Sequence, residues 1–431
     1  MYIGVGSSLT LMKSSVLSPN VLNMSIMFFL GVLFSFYFVI PIWYKLTPLI
    51  MLLMAIYVRV FKSSKVDWHI FLFGLLILLA PIVGDLINVI FRDVSSWSNI
   101  EKVLRNMLFI YPFAIAVALR RDMSLFFYFA LVGLLSITAI FCVAQLNGLY
   151  AVESSHFNGL RTGLWWNPIP FSNAVVFVFS ACCATYMVVI RSQRIQGWLL
   201  HTPIVIALLA TFLIVILSGT RGSLLGAGLL TLVLIMILLF DQRIAKKLRI
   251  SLSFGAFFVI FAASYMMSEH FLLAYAEILD HFKNGPNYTS ISIRLSAWSF
   301  SVHAFLENPL LGLGVNVINE YKMNLIGQGK YPEYLIGYHA HSDIFDALER
   351  SGVLGLLGLF FLYFSPLLVA SIFKQKVSDF YPLLLVTLSV FLLGLTDTPL
   401  RNNVSTDAFF LSYFLVLAIC LRPLEAEEKA K

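Results

Sequence analysis

The chain has 431 residues, of which 60% are hydrophobic and only 12% charged, with a mean hydropathy of +0.89. That composition excludes a soluble globular domain and places the protein in a bilayer. The formal net charge of +7 does not signal nucleic acid, because the basic residues are scattered over short segments and form no stripe.

Crossing ~30 Å of hydrocarbon takes about 20 helical residues. About twelve apolar runs approach that length, near 21–43, 46–61, 69–91, 103–119, 125–146, 169–190, 201–218, 223–240, 250–268, 352–373, 381–396 and 408–421. They are continuously apolar and not apolar at every second position, so the fold class is all-α and not a membrane barrel. The first run is longer than the apolar region of a cleaved signal peptide and has no small-residue cleavage pattern after it, so it is expected to stay. Cys142, Cys182, Cys183 and Cys420 all fall in these runs and read as core residues without disulfide or zinc spacing.

If both termini lie on one side, 17 of the 29 lysines and arginines fall in the short segments of that side, including Arg59, Lys62, Lys65, Arg120, Arg121, Lys246, Lys247 and Arg249. The other side holds 12, five of them in one long segment that crosses regardless of its charge, which leaves seven for the comparison. Cytoplasmic termini follow from the positive-inside rule. The long hydrophilic segment 269–351 is then exported, together with the short loops holding Arg161, Arg221 and Asp397 to Arg401. No linker composition or internal repeat divides the chain, so residues 1–431 read as one integral membrane domain with a lid-like insertion at 269–351.

Two arginines bracket the entry to this insertion. Arg221, in SGTRGSLLG, stands between two apolar runs, where an arginine is costly and by default functional. Arg294 lies in the first turns of a predicted helix whose Ile291, Leu295, Trp298, Val302 and Phe305 form one apolar face, expected to lie on the membrane surface. Taken alone, Arg294 reads equally as an interfacial arginine snorkelling to headgroups. A guanidinium fork matches phosphate bidentately, so the two together suit a diphosphate. The Glu307-Asn308-Pro309 sequence ends the helix, since the residue before proline disfavours the α region. Gly312 to Gly314 is a turn, because no strand precedes it as a dinucleotide site would require.

The insertion closes on GYHAHSDIFDALERSG, Gly337 to Gly352. Ser342 suits an N-cap and Asp343 the first turn of a helix. His341 then stands at the positive end of that helix, where a neutral imidazole can act as a general base, although Asp343 opposes this. Asp346 and Arg350 are spaced as a structural ion pair. His339 and His341 lack a third ligand at recognisable spacing, so no metal is expected. Neither a phosphate-binding G-x-x-x-x-G-K-[ST] loop nor a D-x-D metal motif is present. A transfer reaction on the exported side therefore needs a group already activated and already across the membrane, and a lipid-linked diphosphate fits.

SGTRGSLLG around Arg221, RLSAW from Arg294 followed by ENPLLGLG, and HAH ending at His341 with Gly352 eleven positions on together resemble the O-antigen ligase family and its polymerase relatives. The motifs cover about 215–355, and their order with the span number extends the likeness over most of the chain. The resemblance implies a GT-C-like, metal-independent, inverting glycosyltransferase without a cofactor. It would move a glycan from undecaprenyl diphosphate to lipid A-core at the periplasmic face of the bacterial inner membrane. In that reading Arg221 and Arg294 bind the diphosphate and His341 deprotonates the acceptor hydroxyl. His339, Asp397 and Arg401 support the site. An O-antigen polymerase shares the donor but typically has two sizeable exported loops, and this chain has one. A lipid-linked glycan flippase, the reading from a different class, would need no exported base.

Overall fold

The computed structural model describes residues 68–92, 124–147, 162–164, 166–192, 198–240, 246–372 and 376–421. The expected runs near 21–43, 46–61 and 103–119, both termini and Arg161 lie outside them, and no strand occurs among the described residues.

The nine remaining runs are helical, as continuous apolar sequence demands when no water is available to the backbone. Helix α1 (Trp68–Leu79) breaks at Pro81, which cannot donate to the ladder, and resumes as α2 (Val83–Ile87), so that Leu72–Arg92 makes one irregular span. Then come α3 (Ser124–Leu146), α4 (Pro168–Ser192), α5 (Trp198–Ser218), α6 (Arg221–Phe240) and α7 (Lys246–Met266), all long and apolar enough to cross. The insertion supplies α8 (Ser268–Asn284), α9 (Ser290–Glu307) and α10 (Val315–Gly327). Last are α11 (Asp343–Tyr363), α12 (Ser365–Ile372), α13 (Tyr381–Gly394) and α14 (Asn403–Cys420).

Two expected spans differ in shape. The run at 352–373 is bent by 63° between α11 and α12, where the Pro366 ring cannot pass the carbonyl of Leu362. The run at 381–396 yields a helix of only 14 residues. Helices α4 and α14 form the centre of the bundle, with α3, α5 and α13 packed on α4, and the four cysteines are buried within it without forming disulfides. Helix α7 is peripheral and turns Phe254, Phe257, Phe258 and Phe261 outward, the surface a lipid tail would cover.

Helix α9 starts with Thr289 as its N-cap and ends at Glu307, as its sequence requires. Its buried face is not the expected apolar stripe. Ser292, Ser296, Ala297, Phe300, Ser301 and Ala304 are covered instead, while Val302 is exposed and Ile291, Leu295, Trp298 and Phe305 are half-buried. Small residues allow α11 to approach closely, and Phe300 fills a small separate core with Ile318, Leu325 and Leu335.

The insertion rejoins the bundle at a tight backbone crossing. Segments 309–314 and 349–354 exchange four hydrogen bonds: Leu313 N to Glu349 O, Gly314 N to Arg350 O, Val353 N to Pro309 O and Leu354 N to Leu310 O. Gly352 bends α11 here with φ 59° and ψ −145°, a conformation open essentially to glycine alone, and a Cβ would lie 2.7 Å from the Leu310 carbonyl carbon. Asn88, at the end of the first described span, donates to Leu311 O at 2.8 Å and Arg350 O at 3.0 Å, and Arg92 donates to Gly312 O at 2.9 Å.

Candidate functional site

The chain entering α11 carries the two histidines. His341 is held at φ 51°, a left-handed conformation that costs a non-glycine residue about 1 kcal/mol or more and recurs at functional sites. The buried Ala340 separates it from His339, and the two imidazole centroids lie 4.1 Å apart. Ser342 takes the N-cap position of α11, but its hydroxyl donates to Gly394 O at 2.9 Å instead of capping the helix. That bond ties the histidine turn to the end of α13.

Asp397 follows α13 directly. Its Oδ1 lies 3.7 Å from His341 Nδ1, beyond hydrogen-bond range, and its Oδ2 accepts from Asn173 Nδ2 at 2.7 Å. The carboxyl is strongly desolvated, which favours its neutral form. The His341 ring, the Thr398 amide and the His339 ring outweigh this and hold it below the usual carboxylate range. His339 is pushed down to about 4, first by burial, then by the charge of His341 and of Arg401. It is therefore neutral at physiological pH.

Both rings and Asp397 line an open cleft of about 440 Å³, together with Lys322, Glu349, Arg350 and Arg401. Lys322 is buried, donates to Tyr338 O at 2.7 Å and stands 4.8 Å over the Phe300 ring. Burial lowers its basicity. Glu349 accepts from Ser301 Oγ at 2.6 Å. The expected Asp346–Arg350 pair is present at 2.9 Å as part of a longer chain of charge: Arg350 also binds Asp85, and Asp346 also accepts from Arg401 Nη1 at 2.8 Å. A second cavity of about 190 Å³ lies behind this chain and shares Val315, Arg350 and Arg401 with the cleft. Nitrogens of His339 and His341 and an oxygen of Asp397 lie within 4.8 Å of one another. Among the described residues, these three could converge on a cation, which as zinc would require each at about 2 Å from one centre.

The arginines stand apart from the histidines. Arg221 opens α6 after the turn at Gly219, pairs with Glu277 at 3.8 Å and donates to His270 O at 3.2 Å. Glu277 also accepts the Ile291 amide at 2.9 Å, which links Arg221 to the first turn of α9. Arg294, one turn further on, donates to Ser290 Oγ at 2.9 Å. The structure thus brings His339, His341, Asp397 and Arg401 together, and neither Arg221 nor Arg294 lines their cleft. Sequence reasoning missed Asp85, Asn173, Glu277 and Lys322. Only Asp85 carried a clear signal, as a carboxylate inside an apolar run.

Residues 206–360 match a family model described as O-antigen ligase. The match runs from α5 into α11 and takes in Arg221, Arg294, His339 and His341, while Asn173, Asp397 and Arg401 fall outside it. A comparison with curated proteins returns no match.

Proposed function

Because residues 206–360 of this membrane chain match a family model described as O-antigen ligase, we propose that it transfers a glycan from undecaprenyl diphosphate to a hydroxyl of lipid A-core, at the periplasmic face of the inner membrane, with both termini cytoplasmic. The single observation that carries the chemistry is the cleft itself. It presents an imidazole backed by an ionised carboxylate, beside a second imidazole kept neutral by burial.

His341 removes the acceptor hydroxyl proton as the oxygen attacks the anomeric carbon. The bond from that carbon to the diphosphate oxygen breaks, and the electron pair leaves with the lipid diphosphate. Attack opposite the leaving group inverts the configuration. Asp397 stabilises the imidazolium that forms. Arg221 and Arg294 neutralise the departing diphosphate, which requires Arg221 to exchange its Glu277 contact for phosphate oxygens. Arg401, held by Asp346 and 39% exposed, lines the cleft and supports the same charge. The reaction needs neither nucleotide nor metal.

The test is reconstitution of the purified protein with undecaprenyl diphosphate-linked glycan and lipid A-core, without nucleotide and with chelator, followed by gel mobility of the acceptor. A shifted acceptor is expected. A ladder formed from the donor alone identifies a polymerase, and donor movement between leaflets without any transfer identifies a flippase.

A further inference from the structure

Behind Asp397, on the side away from the cleft, runs a file of buried polar side chains that none of the steps above uses. Asn173 Nδ2 donates to Asp397 Oδ2 at 2.7 Å, and Ser223 Oγ donates to Asn173 Oδ1 at 2.8 Å. The Ser223 and Ser172 hydroxyls lie 2.8 Å apart, and Thr220 Oγ1 donates to Ser172 Oγ at 2.8 Å. All four residues are buried, Asn173 with 1% exposed. Ser172 and Asn173 belong to the first turns of α4, and Thr220 and Ser223 flank the start of α6. Polar groups at such depth are costly unless fully bonded, and here each is bonded to the next.

The file has a direction. A carboxylate only accepts, so the Asn173 amide must turn its NH2 to Asp397, which leaves its carbonyl to Ser223 and makes that hydroxyl the donor. The Asn173 and Ser223 protons therefore point toward Asp397, while Ser172 Oγ also has Ile169 O as an acceptor at 3.0 Å. Oδ2 is thereby occupied, and Oδ1 is the oxygen left facing His341 Nδ1.

We propose that Asn173 is a positioning residue: it fixes the Asp397 carboxylate with Oδ1 turned to His341 Nδ1, so that closing the 3.7 Å between them holds His341 as the Nδ1–H tautomer, with Nε2 left to take the acceptor proton. The role assigned to Nε2 rests on the reading of His341 as the base, whereas the orientation of the ring does not. A carboxylate behind an imidazole sets which nitrogen carries the proton, and the wrong tautomer has no lone pair toward the substrate. The other charged or titratable groups lining the cleft around this pair are Tyr338, His339, Lys322, Glu349, Arg350 and Arg401.

The experiment uses the full chain in lipid nanodiscs with 15N-labelled histidine, the His341 signals being assigned with H341A. The wild type should show His341 mainly as the Nδ1–H form. N173A should show mixed tautomers and move in the same sense as D397N. T185V removes a buried hydroxyl of α4 that bonds carbonyls of its own helix, and it should leave the His341 signals in place. In turnover, N173A should lose about 10- to 100-fold in kcat, the range seen when a group that orients a site residue is removed, with KM for the lipid-linked donor unchanged.

Should N173A fail to fold, S223A tests the same contact one step back: it frees the Asn173 carbonyl that Ser223 Oγ holds at 2.8 Å, and the His341 signals should move in the same sense. His341 signals identical to wild type in N173A, or in S223A where N173A does not fold, would overturn the proposal. Signals that move as expected while H341A keeps its full rate would support the positioning contact and defeat the base assignment instead.

Discussion

Replacing Asp346 by asparagine preserves the shape of the side chain and removes its charge from between two arginines. Asp346 accepts from Arg350 at 2.9 Å and from Arg401 at 2.8 Å, but the two contacts are unequal, since the Arg350 side chain is 12% exposed and that of Arg401 39%. Breaking a buried pair from one side costs about 3–5 kcal/mol, whereas an exposed pair contributes about 0–1 kcal/mol. Asp85 remains on Arg350 in the variant, so the loss should fall near the lower bound, about 3 kcal/mol in all. R350M removes the cation shared by Asp85 and Asp346, and the double variant should therefore be less damaged than the two single losses imply, by about 1 kcal/mol or more. Equilibrium unfolding in mixed micelles, followed by helical circular dichroism and tryptophan fluorescence, measures all three. A D346N loss below about 0.5 kcal/mol, or strict additivity with R350M, would refute the view that this chain of charges acts as a buried unit.

H341A should lose about 10²- to 10⁴-fold of the transfer rate with donor affinity little changed, and H339A should lose less; full rate in H341A sends the search for the base to Asp343. Because the His339 ring sits near 4 in the fold and about 6.5 when unfolded, the unfolded chain binds the extra proton between these values. Stability should then fall as pH drops through that window, and H339A should flatten the dependence in melts at about pH 7 and 4.5. R221K keeps the charge but loses the fork, so turnover at limiting donor should drop sharply; wild-type turnover there would leave Arg221 an anchoring role only. Cysteines at Asn287 and Asn324 should react with an impermeant thiol reagent from the periplasmic side and one at Lys247 should not, and the reverse pattern would invert the proposed orientation.

Much of the architecture is legible in the sequence because a bilayer leaves an apolar run little choice but a helix. The end of α9 follows from Pro309, whereas α14 starts at Asn403, ahead of the apolar run expected at 408–421, because Asn402 caps it with a side chain that accepts from the Val404 amide at 3.1 Å. The HAH turn and the Asp397–Arg401 loop are legible as chemistry, because ionisable residues stand out in a chain with so few. Their meeting is not, since it depends on α13 ending beside the start of α11. The buried face of α9 escapes the sequence for a related reason: an apolar stripe shows that something covers it, but the small face makes the closer contact here. Asn173 and Glu277 have no local signal at all, as each acts on a partner chosen by tertiary packing, Asp397 in one case and Arg221 in the other.

The crossing at Gly312 and Gly352 works as a rivet. Four main-chain bonds, with Asn88 and Arg92 clamped over them, leave no pivot at that end of the insertion. A push on α10 is delivered to the foot of α11 and so to Arg350, instead of being absorbed by a bending loop. An epitope spliced into 309–314 would pry this joint open and disturb the charges behind the cleft. The same epitope at the turn around Gly329, where a Cβ meets nothing within 4 Å, would hang free of it. The joint thus separates a part of the insertion that can be decorated from a part that belongs mechanically to the bundle.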